Sequence, residues 1–426
     1  MKIVNYISVI ILLLSQTYAK NNLYGSSVEK IVIDSALVNT YIDNAFNYAF
    51  YNPDSAFYYI DTAIIMANQI GYNKKIAEAY QVKGIIYYAI DKYDSALIFY
   101  HEALGIRVET GDLKGTAASF NNIAATYSSL SLYKLAVKNN LEALRIHEAL
   151  SDAPRIGNSL NNLALNYHYL NEYETALKFY KEALEYKNKI PDNEKDIART
   201  LSNIGQLYFD WGYSNEQYYD SAASYLFKAI KIRQKIEDIQ GLSESLFNLG
   251  NIYIEKEQFD RALIFIDDAY NNFKLANDKS GIAKVYSNIG YIAYRRGNPD
   301  YKNALINFNK SVGIAKEVSN LQLLQDNYLH ISNIFKFKGQ YDNAYQYIEL
   351  YNEVKDSIAS IEIKKEIIRL QIEYEAKKRE ATIAKQQAQI RKLILKKNRL
   401  LIFTSILGLS ILIMGVILII VKRKSK

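Results

Sequence analysis

Between about residues 36 and 354, apolar and polar side chains alternate at a helical rhythm, and the whole pattern restarts roughly every forty residues. The segment Tyr93-Asp94-Ser95-Ala96 returns as Tyr133-Lys134-Leu135-Ala136, Tyr173-Glu174-Thr175-Ala176 and Tyr219-Asp220-Ser221-Ala222. It returns again as Phe259-Asp260-Arg261-Ala262, Tyr301-Lys302-Asn303-Ala304 and Tyr341-Asp342-Asn343-Ala344, with Asn52-Pro53-Asp54-Ser55-Ala56 as an atypical first copy. Successive alanines stand 40, 40, 40, 46, 40, 42 and 40 residues apart. Twelve residues before most of them is a small residue: Gly84, Ala124, Ala164 and Gly250, with Gly205 and Gly290 matching once insertions are allowed. An aromatic usually follows three later, as at Tyr87, Tyr127, Tyr167, Tyr208 and Tyr253. Seven residues after the repeat alanine comes a second, at Ala63, Ala103, Ala143, Ala183, Ala229 and Ala269. Small residues at matched places let two helices approach closely, while the aromatics fill the space between units. The pattern predicts an all-α array of about eight helix-turn-helix units. One unit cannot bury its own apolar stripe; stacked units share a core and curl into a right-handed superhelix whose first helices line a concave groove. Ser214–Tyr218 and Asn298-Pro299 read as exposed loops inserted into the fifth and seventh units.

Outside the array the pattern changes twice. From about Glu353 to Arg399 there is no proline or glycine, and Lys, Glu, Gln, Ile and Ala dominate, which predicts a long helix. Ile361, Ile368, Ile372, Ile383 and Ile390 suggest a broken heptad seam for a self-associating coiled coil. Leu400 to Val421 then carries no charge and is long enough to cross a bilayer, with Lys422-Arg423-Lys424-Ser425-Lys426 behind it. At the other end a basic start, the apolar stretch Val9–Leu14 and a Thr17-Tyr18-Ala19 ending read as a secretory signal peptide. The expected organisation is therefore a signal peptide over 1–19, the repeat array over 20–354, a helical linker or coiled coil over 355–399, a transmembrane helix over 400–421 and a short basic cytoplasmic tail over 422–426. The expected location is a single-pass membrane protein whose array is extracytoplasmic, in a bacterial inner membrane.

The small, aromatic, alanine and aromatic positions of the array resemble the tetratricopeptide repeat (TPR), an α-solenoid fold. The usual TPR period is 34, so the forty-residue spacing implies helices longer by nearly one turn each. The order of parts resembles the sensor half of bacterial TPR receptors, which continue as histidine kinases or helix-turn-helix regulators. Up to Lys426 the sequence has no phosphate-accepting histidine, ATP site or recognition helix, so those activities are not carried over.

Composition narrows the chemistry. The 426 residues include no cysteine, which excludes a disulfide framework, a thiol nucleophile and cysteine-ligated zinc. The net charge of +7 is uneven: residues 355–426 hold 17 Lys/Arg against 6 Asp/Glu, leaving 35 basic and 39 acidic residues in 1–354. A mildly acidic array argues against nucleic acid as the partner. The four histidines, His101, His147, His168 and His330, fall in different units with no metal-ligand spacing, and no catalytic motif occurs, so neither an enzyme, a cofactor nor a metal site is expected. The most informative polar feature is a ladder: Asn122, Asn162, Asn203, Asn248 and Asn288 each stand two residues before the small residue of their unit, joined by Asn121 and Asn161. The TPR resemblance implies that this position faces the groove, where an amide can both donate to and accept from an extended peptide backbone. The alternative is that these amides cap or bridge helices. His168, on the same helix as Ala164, could face the groove too. The 38 tyrosines mostly occupy repeating positions and read as core packing. The expected function is a protein–protein interaction module that takes a peptide or protein in its groove, in envelope sensing or signal transduction. Its alternatives are a scaffold for an envelope complex and a sensor remnant without its output domain. A homodimer through 355–415 is a further expectation.

Overall fold

A computed structural model describes residues 34–375 and 377. Fifteen helices run from α1 (Ser35–Tyr48), α2 (Pro53–Gln69), α3 (Asn73–Ala89), α4 (Tyr93–Thr110) and α5 (Leu113–Ser129) to α6 (Tyr133–Ala149), α7 (Ala153–Tyr169), α8 (Tyr173–Asn188), α9 (Glu194–Gly212) and α10 (Gln217–Lys235). They continue as α11 (Ile239–Glu255), α12 (Phe259–Leu275), α13 (Lys279–Arg295), α14 (Tyr301–Glu317) and α15 (Leu321–Phe337), and a sixteenth, α16, spans 341–375. Among the described residues there is no strand. The sixteen helices form eight antiparallel pairs, each packed on the next, in a helical solenoid. First helices of neighbouring pairs touch one another, as α1 does α3 and α9 does α11, and so form the inner wall.

The repeat alanines explain the close pairing. Ala56, Ala96, Ala136, Ala176, Ala222, Ala262 and Ala304 are fully buried, as are the second alanines Ala63, Ala103, Ala143, Ala183, Ala229 and Ala269. Opposite the glycines the fit is tighter still. A Cβ added at Gly84 would sit 2.5 Å from the Tyr100 ring, at Gly250 2.7 Å from Ile266 and at Gly290 2.8 Å from Phe308. Each large side chain fills the notch that a missing Cβ leaves on the partner helix.

Turns repeat as regularly as helices. Most helices end on one residue in the left-handed region, such as Asp91, Ser131, Asn171, Glu237 and Glu257 with φ between 53° and 59°. The next N–H reaches back to the aromatic register: Leu132 donates to the Tyr127 carbonyl at 2.8 Å and Gln258 to that of Tyr253 at 2.8 Å. This satisfies carbonyls that a helix end would leave bare. At the following helix, Asp112 and Asp278 accept from the N–H three residues on, at 3.0 and 2.9 Å. Most of the left-handed residues carry a Cβ, which costs about 1–2 kcal/mol there against glycine. Glu237→Gly, at an exposed position with φ 55°, is therefore expected to stabilise the fold by about 0.5–1 kcal/mol after the added freedom of the unfolded chain is counted. The thermal midpoint should rise; a lower midpoint would contradict this account of the turn.

Two expectations need correction and one is refined. The localisation is corrected: among the described residues no helix is long and apolar enough to cross a membrane. The physical reason is composition, since the helices of the array carry polar and charged side chains among their apolar ones, as Asp61 and Asn68 do in α2. The segments 1–19, 378–399, 400–421 and 422–426 lie outside the described residues. The seam expected along Ile361, Ile368, Ile372, Ile383 and Ile390 is also corrected where it is described: Ile368 and Ile372 pack against the buried cluster of this chain's own second and third pairs, and Ile383 and Ile390 lie outside the described residues. The loop expected over Ser214–Tyr218 is shorter than the insertion: residues 213–216 form the turn, and Gln217 and Tyr218 already belong to α10.

Candidate functional site

The ladder residues lie on first helices, Asn121 and Asn122 on α5, Asn161 and Asn162 on α7, Asn203 on α9, Asn248 on α11 and Asn288 on α13. Their surroundings differ. Asn162 is exposed, Asn161 is buried, and the other five are half-buried. Asn203 Nδ2 donates to Asn161 Oδ1 at 3.2 Å, and Asn288 Nδ2 donates to Asn251 Oδ1 at 2.6 Å. At these two steps the amides bridge neighbouring pairs. Asn122 Nδ2 and Asn121 Oδ1 are sheltered from solvent and have no hydrogen-bond partner in the chain, an arrangement that is costly to leave unmet.

His168 is buried rather than open to the groove. Its Nε2 lies 2.8 Å from Asp210 Oδ2, and Gln206 Nε2 donates to the other Asp210 oxygen at 2.9 Å. The histidine thus ties α7 to α9. Around it runs a train of rings: Tyr133 on Tyr169 with centroids 5.0 Å apart, Tyr173 on Trp211 at 5.4 Å and Trp211 on Tyr218 at 4.4 Å. Aromatic stacking of this kind adds rigidity across the third, fourth and fifth pairs.

A second polar column was not read from the sequence. Eleven residues after the repeat alanine stand Arg107, His147, Lys187 and Arg233, all buried at the ends of second helices. Arg107 Nη1 donates to the Gly115 carbonyl at 3.0 Å and to Ser119 Oγ at 2.8 Å, and it also meets Gln81 Oε1. Arg233 repeats this with the Gly241 carbonyl and with Ser245 Oγ at 2.6 Å. Lys187 Nζ donates to Thr200 Oγ1 at 2.9 Å, and Thr200 lies 3.1 Å from Asn161 Oδ1, so the column and the ladder meet behind the inner wall. Burial pushes all four basic groups below their ordinary pKa. At His147 the neighbouring Arg155 adds to that push, and neither ring nitrogen has a partner in the chain. Aligning the residues eleven after each alanine would have exposed this column, but charged residues seldom prompt a search for core positions.

Away from the ladder, a cleft of about 510 Å3 opens at the rim between the sixth and seventh pairs, lined by Glu257, Phe259, Asp260 and Arg296. Its charges satisfy one another, with Arg296 2.7 Å from Asp260. Among the described residues no group of three or more His, Cys, Asp or Glu could hold a metal ion.

Comparison with known proteins places this geometry. Tetratricopeptide-repeat models match residues 115–189 and 243–271. The uncharacterized protein ycf37 of Guillardia theta is 28% identical over 116 residues, covering 24% of this chain and 65% of that protein; the chain thus spans about two thirds of the curated relative it matches. Among solved structures, the apo quorum sensor NprR from B. thuringiensis aligns with a TM-score of 0.58 at 18% identity, over 83% of this chain and 95% of that one. Aspartyl phosphate phosphatase F from Bacillus subtilis aligns at 0.54 and 15% identity, over 78% and 96%. The Rap conjugation gene regulator of plasmid pLS20, solved in complex with a Phr peptide, aligns at 0.50 and 14% identity, over 76% and 96%. At these identities the likeness is one of fold. The chain carries tetratricopeptide repeats in an all-α helical solenoid that matches those of the Rap and NprR proteins.

Proposed function

We propose that the inner wall of the solenoid is a binding surface for a protein or peptide segment in extended conformation. The observation that carries this reading is the row of amides on five successive first helices, with Asn162 exposed and Asn122 left with an unpaired donor. A side-chain amide can donate to a peptide carbonyl and accept from its N–H, so a row of them reads backbone and tolerates many side chains. Asn121, Asn122, Asn162, Asn203, Asn248 and Asn288 are the contact residues on this reading. Asn161 and His168 hold the wall behind them, through Asn203 and Asp210. The pLS20 regulator, whose solved structure contains a Phr peptide, lends the reading support through its similar fold.

Each peptide hydrogen bond of this kind contributes about 0.5–1.5 kcal/mol. Asn162→Ala combined with Asn203→Ala is therefore expected to weaken capture of a partner by roughly five- to a hundredfold, with the thermal midpoint checked in parallel because Asn203 also bonds Asn161. Pull-down from a lysate of the native cell with wild-type and double-variant protein makes the comparison. If every captured partner were retained equally by the double variant, the ladder would have no binding role.

A further inference from the structure

The buried polar column makes one joint of the stack unlike its neighbours. Between the second and third pairs, Arg107 on α4 donates to Gln81 on α3 and to Ser119 Oγ on α5, the latter at 2.8 Å. Between the fourth and fifth, Lys187 on α8 donates to Thr200 Oγ1 on α9 at 2.9 Å, and Thr200 lies 3.1 Å from Asn161 Oδ1 on α7. Between the fifth and sixth, Arg233 on α10 donates to Ser245 Oγ on α11 at 2.6 Å, and Ser245 lies 3.1 Å from Ser202 Oγ on α9. Each of these joints is tied by three side chains from three successive helices. Forty residues on from Gln81, Arg107 and Ser119 stand Asn121, His147 and Ser159, at the joint between the third and fourth pairs. There the ties are missing. Asn121 Oδ1, both His147 ring nitrogens and Ser159 Oγ are sheltered from solvent with no hydrogen-bond partner among the described residues. His147 and Ser159 are each 1% exposed. Asn140 Oδ1 on α6 and Asn166 Oδ1 on α7, in two further buried residues, are unmet as well. An imidazole is shorter than the side chains of arginine and lysine, and buried polar atoms left unmet weaken the packing that holds them.

We propose that this joint is a pH-sensitive weak point of the solenoid, at which α6 parts locally from α7 when His147 takes up a proton. The helices packed on α6 are α5 and α7. From α7 the ring is faced by Asp152 and Arg155, which lie 3.6 Å from each other. From α5 the matching group is the uncharged Asn121; Asp112 caps that helix through the Gly115 N–H, and Lys114 is exposed. On α6 itself the flanking Arg145 and Glu148 are exposed. A proton on the ring thus creates a charge away from water and beside a guanidinium whose carboxylate partner is already engaged. Burial, and after it Arg155, hold the ring below the ordinary histidine value of 6.5, against the pull of Asp152. Parting exposes the ring to water, where it titrates near that value. The closed joint is therefore favoured above pH 6.5 and loses ground as pH falls below it. The rungs Asn121 and Asn122 stand on one side of the joint and Asn161 and Asn162 on the other, but the proposal does not depend on what the groove binds.

The cysteine-free chain allows a local reading. Ser159→Cys places a thiol inside the joint, where the serine has no hydrogen bond to lose. Ser119→Cys places one at the matching position of the preceding joint, and Lys134→Cys one at an exposed position for normalisation. Labelling with a pyridyl disulfide reports how often each buried thiol is uncovered. Divided by the rate at Lys134→Cys, labelling of Ser159→Cys is expected to rise by about three- to tenfold from pH 7.5 to pH 5.5, one proton being taken up per opening. Labelling of Ser119→Cys should stay level over the same range. Adding His147→Gln to Ser159→Cys should remove the rise. His147→Arg should remove it too and slow labelling at both pH values, through a carbonyl bond like the one Arg107 makes to Gly115. Helical content by circular dichroism should be the same at both pH values, because the parting is local. Labelling of Ser159→Cys that ignores pH, an equal rise at Ser119→Cys, a rise that survives His147→Gln, or a loss of helix at pH 5.5 would each overturn the proposal.

Discussion

Phe308→Ala is expected to cost about 3–5 kcal/mol, the largest loss from a single truncation in the array. Phe308 is fully buried, fills the notch over Gly290 and stacks on His330 with centroids 5.2 Å apart. Its removal takes away the contacts of a whole ring and leaves a hollow that the rigid helix pair closes only in part. A second substitution tests the geometry more sharply. In the wild-type chain, Gly290→Ala puts a Cβ 2.8 Å from Phe308 Cδ1 and is expected to destabilise by about 1–3 kcal/mol through overpacking. In the Phe308→Ala background the clash is gone, and the same Gly290→Ala should stabilise by about 1 kcal/mol, the helix-propensity gain of alanine over glycine. Urea titration of the four chains closes the cycle. Equal effects of Gly290→Ala in both backgrounds would show that the two residues are not coupled as the structure has them.

Lys187→Met is expected to stabilise the chain at neutral pH by on the order of 1–3 kcal/mol. The ammonium is buried between the fourth and fifth pairs with Thr200 as its hydrogen-bonding neighbour, and its pKa falls to about 8. Desolvation is the main cause, the nearby Arg199 adds to it, and Asp196 opposes it. Below about pH 8 the lysine is charged in both folded and unfolded chains, and the folded chain carries the full cost of the buried charge. Between about 8 and the ordinary value of 10.5 the unfolded chain binds the proton and the folded one does not, so wild-type stability gains as pH rises. The advantage of Lys187→Met should thus be complete at pH 7 and shrink steadily toward pH 10.5. Methionine fills a similar volume, and Thr200 keeps its bond to the Asp196 carbonyl at 3.0 Å. Chemical denaturation at pH 7, 9 and 10 gives the three differences; an advantage that grew with pH would refute the assignment.

The frame of this fold was legible because small residues have few uses. Alanine at 96, 136 and 176 with glycine or alanine twelve earlier leaves little choice but close helix pairs, and the structure buries every one of those alanines fully. What escaped reading was polar. Lys187 and Arg107 look like surface residues in a sequence, because nothing local shows that Thr200 or Ser119, more than ten positions on, will fold over them. The ladder was visible as a column, but its rungs divide between bridging amides at Asn203 and Asn288 and an open one at Asn162, a distinction that depends on the acceptors Asn161 and Asn251 standing on the neighbouring pairs. In α16 the apolar spacing fits a helical period without showing which side of the helix is covered. Ile368 and Ile372 proved to face the array, since only the curvature of the whole stack decides which side of the last helix meets the second and third pairs.

That return contact has a mechanical consequence. A stack in which each unit touches only its neighbours is a soft spring, since small rotations at successive interfaces add into large changes of pitch. The part of α16 between its start at 341 and Ile368 is a rod of about 40 Å at 1.5 Å per residue. It is rooted in the eighth pair, where Ala344 is buried against α15, and it bears on the second and third pairs at its far end. Such a rod works as a brace across the coil: it sets the pitch by its own length, and the stack cannot open or tighten unless the brace lets go.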